Sequence, residues 1–265
     1  MTTSRRHART EQLLGEEGLE KLKRAHVTIC GLGAVGSFAA EALARAGVGH
    51  LSLVDYDVVS ESNINRQLYA LTSTVGLKKS AVAEALWVDI FDCFIGEETT
   101  EAILGRPMDV VVDAIDSLSS KVHLIVNAAA RDIPIVASMG AAGKVDADAV
   151  TCGDISETCV CGLAKSVRRR LHRKGLYKGV RCIYSTEPSR KNPSTTDETP
   201  TDDGFRVAPV LGSISYLTGV FGLRAAGEAI RIILQGGAQM QTTVAVGDRT
   251  GSPPKGTRPR STDGF

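Results

Sequence analysis

The chain lacks any long charge-free apolar run. Its best candidate, Tyr216 to Leu234, is broken by Arg224, Glu228 and Arg231. It therefore reads as an amphipathic helix and not as a membrane span. The first ten residues, MTTSRRHART, hold no apolar stretch, so no secretory signal is read there. An excess of one charge is missing too. Lys and Arg total 31 against 30 Asp and Glu, a formal net charge of +1. That balance argues against a wholesale nucleic-acid coat protein or a supercharged tail, but it leaves room for a local basic patch. Cysteine is sparse, with six in 265 residues and no CxxC pair. The sequence is not a disulfide scaffold, and a reducing, cytoplasmic setting is the simplest reading.

What is present suffices for a folded body. The apolar fraction is 43%, and the length suits one large or two small domains. A short helix is expected over Gly18 to Ala25. Apolar strands then read as His26–Cys30, Leu51–Asp55, Asp109–Asp116 and Ile133–Ser138. Between them lie an alanine-rich helix to Ala46, helical spacing from Lys78 to Ile90, and a helix from Ser119 to Arg131. Nearly continuous apolar strands alternating with helices predict an α/β fold. It is a Rossmann-like, largely parallel sheet covered by helices, with a smaller C-terminal extension. Beyond Gly140, short strands off the main sheet are expected over Ala141 to Cys152. A basic helix follows over Val160 to Lys174, a strand over Arg181 to Ser185, and an apolar helix over Gly212 to Leu234. Residues 187–206 read as a mobile loop and 236–265 as a disordered tail.

Gly31, Gly33 and Gly36 form GxGxxG between the first strand and its helix. Such a loop turns tightly, lets backbone approach a phosphate and opens a helix N-terminus towards it. Asp55 closes the next strand, 24 residues after Gly31, where a carboxylate can accept hydrogen bonds from a ribose. Together they argue an adenine nucleotide without separating NAD(P) from ATP. The stretch DYDVVSESNINRQLYALTSTVGLKK separates them. A redox dinucleotide domain has no evident use for Asn63, Arg66, Gln67 and Lys79. In an ATP site, Arg66 and Lys79 neutralise a triphosphate, and Asp116 at the end of its strand holds Mg²⁺.

These residues resemble a known family. GLGAVG, VDYDVVSESNINRQ, VGLKK and DAID are similar to the ATP-binding half of the ubiquitin-activating-enzyme-like adenylyltransferases of the ThiF, MoeB and HesA type. Within that superfamily, RTEQLLGEEGLEKLKRAHV, NINRQLYA, VVDAIDSLSSKVHLI, YSTE and GSISYLTGVFGLRAAGEAI resemble the tRNA threonylcarbamoyladenosine dehydratases, over roughly residues 5–235. The resemblance implies adenylation of a carboxylate by ATP, release of pyrophosphate and then AMP, and cyclisation of a modified adenosine in tRNA. It implies that Gly31, Gly33 and Gly36 hold phosphate and that Asp55 binds ribose. Asp57 and Asn63 would line the nucleotide site, Arg66 and Lys79 would bind phosphates, and Asp116 would be linked to Mg²⁺. RHAR places Arg6 and Arg9 at the spacing of an arginine inserted into a partner's ATP site, so Arg9 joins the catalytic set and a homodimer is implied. Residues 1–25 would then form an arm, 26–140 the ATP-binding region and 141–235 the substrate and dimer region.

Lys165 to Arg181 contains eight cations and no acid. With tRNA as the implied partner, Arg168, Arg169, Arg170, Arg173 and Lys174 become candidates for RNA backbone binding. Aromatic interleaving is limited to Tyr177 and Tyr184, so base stacking is not indicated. Cys152, Cys159, Cys161 and Cys182 replace the superfamily's zinc-binding CxxC pairs with poor metal spacing. Cys182 is the best placed for a thiol role, and a sulfur-transfer protein is a further partner class. The competing readings are an adenylyltransferase acting on a ubiquitin-like sulfur carrier, an NAD(P)-dependent oxidoreductase, and a noncatalytic RNA-binding scaffold.

Overall fold

The computed structural model describes residues 5–83, 88–190 and 211–236. Residues 191–206 of the expected mobile loop and the tail beyond Gly236 lie outside this set. The helices are α1 (Ala8–Arg24), α2 (Gly36–Ala46), α3 (Lys79–Ala83), α4 (Glu97–Leu104), α5 (Leu118–Ala129), α6 (Gly162–His172) and α7 (Ser215–Leu234). The strands are β1 (His26–Cys30), β2 (His50–Val54), β3 (Val88–Phe91), β4 (Val110–Asp113), β5 (Ile135–Ser138), β6 (Val150–Asp154) and β7 (Arg181–Ser185).

One seven-stranded sheet runs in the order β3-β2-β1-β4-β5-β7-β6, parallel except for β6 against β7. Side chains alternate faces along each strand. Val27 and Ile29 of β1, with Val110 and Val112 of β4, join Leu43 of α2 and Phe221 of α7 in one core. Cys30 and Val111 join Leu124 of α5 and Val167 of α6 in the other. Each such Val, Leu or Phe, fully buried, contributes about 1.5–3 kcal/mol. Glycines set the tight α2–α7 contact. A Cβ at Gly222 would overlap the Val35 carbonyl oxygen and approach Phe38 Cβ to 2.8 Å, so Gly222→Ala would push the two helices apart. No helix among the described residues is long and apolar enough to cross a membrane.

Four local expectations are corrected. The helical spacing over Lys78 to Ile90 resolves into α3 and the edge strand β3, since Val88 and Ile90 fit strand alternation equally well. The segment before Cys152 supplies no strands off the main sheet, because β6 pairs with β7 as the other edge of it. The strand expected to reach Asp116 ends at Asp113. The N-terminal helix is longer than Gly18 to Ala25, running from Ala8 with a break at Gly15, φ +75°.

Candidate functional site

The sheet order reverses at β1, with β2 on one side and β4 on the other. Loops leaving the two strands there diverge and open a crevice at their carboxyl ends. A cavity of about 410 Å³ occupies it. Its floor comes from the segments after β2, β1, β4 and β5, and Leu163 of α6 and Thr218 of α7 close one end.

The three glycines serve different ends. Gly31 has φ +91°, and a Cβ there would lie 2.9 Å from the Ala114 carbonyl oxygen. A Cβ at Gly36 would collide with the Gly31 carbonyl oxygen, so Gly36 is a packing glycine and does not line the cavity. Gly33 lines it, and a Cβ there would meet nothing closer than Gln67 Nε2 at 3.9 Å. No side chain caps the start of α2. The Ser37 N–H of its first turn is taken by the Gly33 carbonyl at 3.1 Å, and the helix end still offers its positive dipole to an anion.

Asp55 ties two loops together. Oδ2 accepts from the Leu32 N–H at 2.6 Å and Oδ1 from the Asp57 N–H at 2.8 Å. Each oxygen keeps a further acceptor site. Lys79, with its side chain 7% exposed, donates to Asp57 Oδ2 at 2.7 Å. Arg66 lines the cavity and spends one nitrogen, Nη1, on the Ser62 carbonyl and Asn65 Oδ1. Asp116 stands three residues beyond β4 on the cavity wall, with no hydrogen-bond or ion-pair partner among the described residues. The Tyr56 hydroxyl is held above its ordinary range chiefly by Asp57, then by burial, Asp116 and Asp55. This end of the cavity is thus rich in negative charge and suited to a cation.

Besides Gly36, other predicted residues stand outside the cavity lining, among them Asn63, Arg9, Cys182 and the arginines of α6. Asn63 is buried, and its Oδ1 accepts from the Ser60 N–H at 3.2 Å, capping a turn of the wall. Arg9 is exposed on α1 and bonded to Gln12. Arg168 is half-buried. Its Nη1 donates to the Ile155 and Thr158 carbonyls and to Thr158 Oγ1 at 2.5 Å, so it braces the start of α6 and is no surface cation. Cys182 is fully buried, and burial pushes its thiol far up. A thiolate is not available there.

Several site residues were not evident in the sequence. Asp113 and Lys121, both 0% exposed, pair at 2.8 Å beneath the Asp116 turn. Tyr56 and Phe94 meet edge to face, 5.3 Å between ring centres, at the β2–β3 end of the cavity. Ser138 to Ala142 form the far end. The pair Asp113 and Lys121 had a faint signal in DAIDSLSSK, where two acids precede one lysine, but period alone does not say which acid faces inward.

Comparison with known proteins agrees with this geometry. Residues 5–249 match the ThiF family. A tRNA threonylcarbamoyladenosine dehydratase of Bacillus subtilis is 46% identical over 188 residues, 68% of this chain and 74% of the relative. The crystal structure of the E. coli tRNA N6-threonylcarbamoyladenosine dehydratase in complex with AMP is 32% identical with a TM-score of 0.80. The match covers 88% of this chain and 96% of that one. The same E. coli enzyme in complex with ATP gives a TM-score of 0.78 at 32% identity, with the same coverage.

Proposed function

The chain belongs to the ThiF family, and from that premise we propose that it is an ATP-dependent tRNA N6-threonylcarbamoyladenosine dehydratase. The observation that carries this reading is the meeting, in one cavity, of a glycine phosphate loop, two cations and a carboxylate that has no partner among the described residues. The E. coli relative crystallised with AMP and with ATP supports the same nucleotide here.

In this reaction the threonyl carboxylate of the modified adenosine attacks the α-phosphorus of ATP. The bond to pyrophosphate breaks, and an acyl-adenylate forms. A nitrogen of the ureido group then attacks the activated carbonyl, loses its proton and expels AMP, closing a ring. Across both steps one water's worth of atoms leaves the nucleoside. Ring closure is intramolecular, and such proximity replaces a protein nucleophile.

The chain's own residues bind and orient. Tyr56 and Phe94 flank the adenine, and the free acceptor sites of Asp55 take the ribose. The Gly31–Gly33 backbone cradles the phosphates. Lys79, released from Asp57, and the unused nitrogens of Arg66 offset charge that grows on the departing pyrophosphate. Mg²⁺ fits the donor set, since this ion is held by one or two carboxylates together with substrate phosphates, and Asp116 is a cavity carboxylate with no partner among the described residues. Held at Asp116, it would supply positive charge that offsets negative charge on the phosphates. The acyl group reaches the α-phosphorus from the Ser138–Ala142 end.

Arg9 acts on the site of a second copy. It is exposed, bonded to Gln12 and to no other side chain among the described residues, and shares its helix with Leu13, which is 82% exposed. Exposed Leu71 and Leu77 are further apolar surface of the kind a homodimer would cover. A cytoplasmic setting accords with six free thiols and a tRNA substrate.

The test is isotopic. Substrate tRNA carrying heavy oxygen in the threonyl carboxylate should deliver one labelled oxygen to AMP. Unlabelled AMP from a reaction that closes the ring would contradict carboxylate adenylation.

A further inference from the structure

Two cysteines that the nucleotide site does not use stand on either side of one strained residue. Cys159 is exposed and Cys161 is buried, and Val160 between them has φ +57°. Left-handed backbone is an outlier for a β-branched residue. The Cys161 N–H donates to the Cys159 carbonyl at 2.6 Å, so the three residues close a γ-turn of the rare, strained kind. Two backbone steps of about 3.8 Å reach at most about 7 Å when extended. The hydrogen bond folds the ends closer, into the Cα–Cα range of about 4.4–6.8 Å that disulfides use.

The turn is clamped from both sides. Arg168 Nη1 donates to the Thr158 carbonyl at 2.7 Å and also to Thr158 Oγ1, which holds the residue before Cys159. On the other side the Cys161 carbonyl accepts from the Lys165 N–H at 3.0 Å, in the first turn of α6. Returning Val160 to ordinary backbone would break one of these anchors, so the two cysteines are held together.

Cys161 also supports the wall of the reaction cavity. Its Sγ accepts from the Ala164 N–H at 3.5 Å and so caps α6. A Cβ at Gly140 would meet that sulfur at 3.4 Å, and Gly140 and Leu163 both line the cavity.

We infer that Cys159 and Cys161 form a reversible dithiol–disulfide site, oxidised by a peroxide, that governs the α6 wall of the cavity. The Cys159 thiolate attacks an oxygen of hydrogen peroxide. The O–O bond breaks, a sulfenic acid forms, and the leaving hydroxide takes up the thiol's proton as water. The Cys161 sulfur then attacks the Cys159 sulfur. The S–S bond forms, the S–O bond breaks, and the second hydroxide leaves as water with the Cys161 proton. The two sulfurs lose two electrons in all, and the peroxide gains them. The bridge draws the Cys161 sulfur off the Ala164 N–H, so α6 loses its cap and the wall at Gly140 and Leu163 shifts. A small dithiol reverses the step by exchange. Transient, sensing disulfides are the kind found in reducing compartments. The effect on turnover rests on the proposed dehydratase activity, whereas the bridge itself does not.

The experiment treats the whole protein with hydrogen peroxide and compares the wild type with Cys159→Ser and Cys161→Ser. Serine at 161 keeps a capping oxygen, and residue 159 is exposed, so both variants should fold and turn over as the reduced wild type does. The oxidised wild type should lose the mass of two hydrogens, with fragment ions placing the bridge between 159 and 161. Its turnover should fall by about tenfold and return after dithiothreitol. Neither variant should lose the two hydrogens, and each should keep its turnover through the same treatment. An unchanged wild-type mass, or a mass loss that persists in either variant, would overturn the site. A bridge at 159–161 with unchanged turnover would overturn its hold on the cavity. Failure of the dehydratase reading would appear instead in the reduced wild type, as no dehydration of tRNA, and the mass measurement would still decide the bridge.

Discussion

Lys121 Nζ lies 2.8 Å from Asp113 Oδ2 with both side chains wholly out of solvent. The other oxygen of Asp113 accepts from the Ile115 N–H at 3.0 Å, within the turn that carries Asp116. Burial raises the Asp113 carboxyl, and Lys121 works against that rise. Removing one partner strands a buried charge, so Lys121→Met should cost about 3–5 kcal/mol in urea unfolding. Replacing both, as Asp113→Leu with Lys121→Met, should recover most of that stability. Pyrophosphate release should stay impaired in the double variant, because the Ile115 N–H has lost its acceptor. Full turnover by the double variant would show that the pair does not position Asp116.

Asp116 itself is exposed to the cavity and bonded to nothing among the described residues. Asp116→Ala should therefore leave the melting temperature unchanged. Loss of its charge at the phosphates should lower pyrophosphate release by roughly 10²–10³-fold. A folded variant with normal release would take Asp116 out of the reaction.

Arg9 and Lys79 stand on different parts of one chain, and only Lys79 lines that chain's cavity. Arg9→Ala and Lys79→Ala should each be inactive alone. Mixed under conditions of subunit exchange, they should regain activity, because one site in each heterodimer holds both residues. Proven exchange without recovery would defeat the arrangement in which the arginine serves a partner's site.

Glu228 sits between Arg181 and Arg231, at 2.7 Å and 2.5 Å. Burial alone would raise its carboxyl, but the bonds from Arg231 and Arg181 outweigh this and hold it below its ordinary range. A carboxyl with a lowered value in the folded chain stabilises fully above its unfolded value. That contribution is lost as pH falls through the folded one. Glu228→Gln should cost about 1.5–3 kcal/mol near neutral pH. The gap to the wild type should close below about pH 4. A gap independent of pH would show that packing, not charge, is what Glu228 contributes.

Much of this was legible in the chain. The boundaries of His26–Cys30 and Arg181–Ser185 match the observed strands, because both are short apolar runs bounded by turns. Gly31 to Gly36 and Asp55 announced the crevice, since few other reasons place those glycines between a strand and a helix. The edge strand β3 was hidden, as Val88 to Phe91 is short and its apolar spacing also fits a helix. DAID did not reveal that Asp113 is buried and Asp116 is exposed, which depends on where β4 stops. Nor did the run Arg168–Arg169–Arg170 show which arginine turns inward. That is decided by the Ile155 and Thr158 carbonyls, which sequence order does not bring to mind.

The most direct test is mass analysis of nucleosides from tRNA bearing N6-threonylcarbamoyladenosine after incubation with the protein and ATP. The account predicts a product lighter by one water, formed only with ATP, with one pyrophosphate and one AMP released for each nucleoside converted. An unchanged nucleoside mass, with ATP bound by a folded protein, would contradict it.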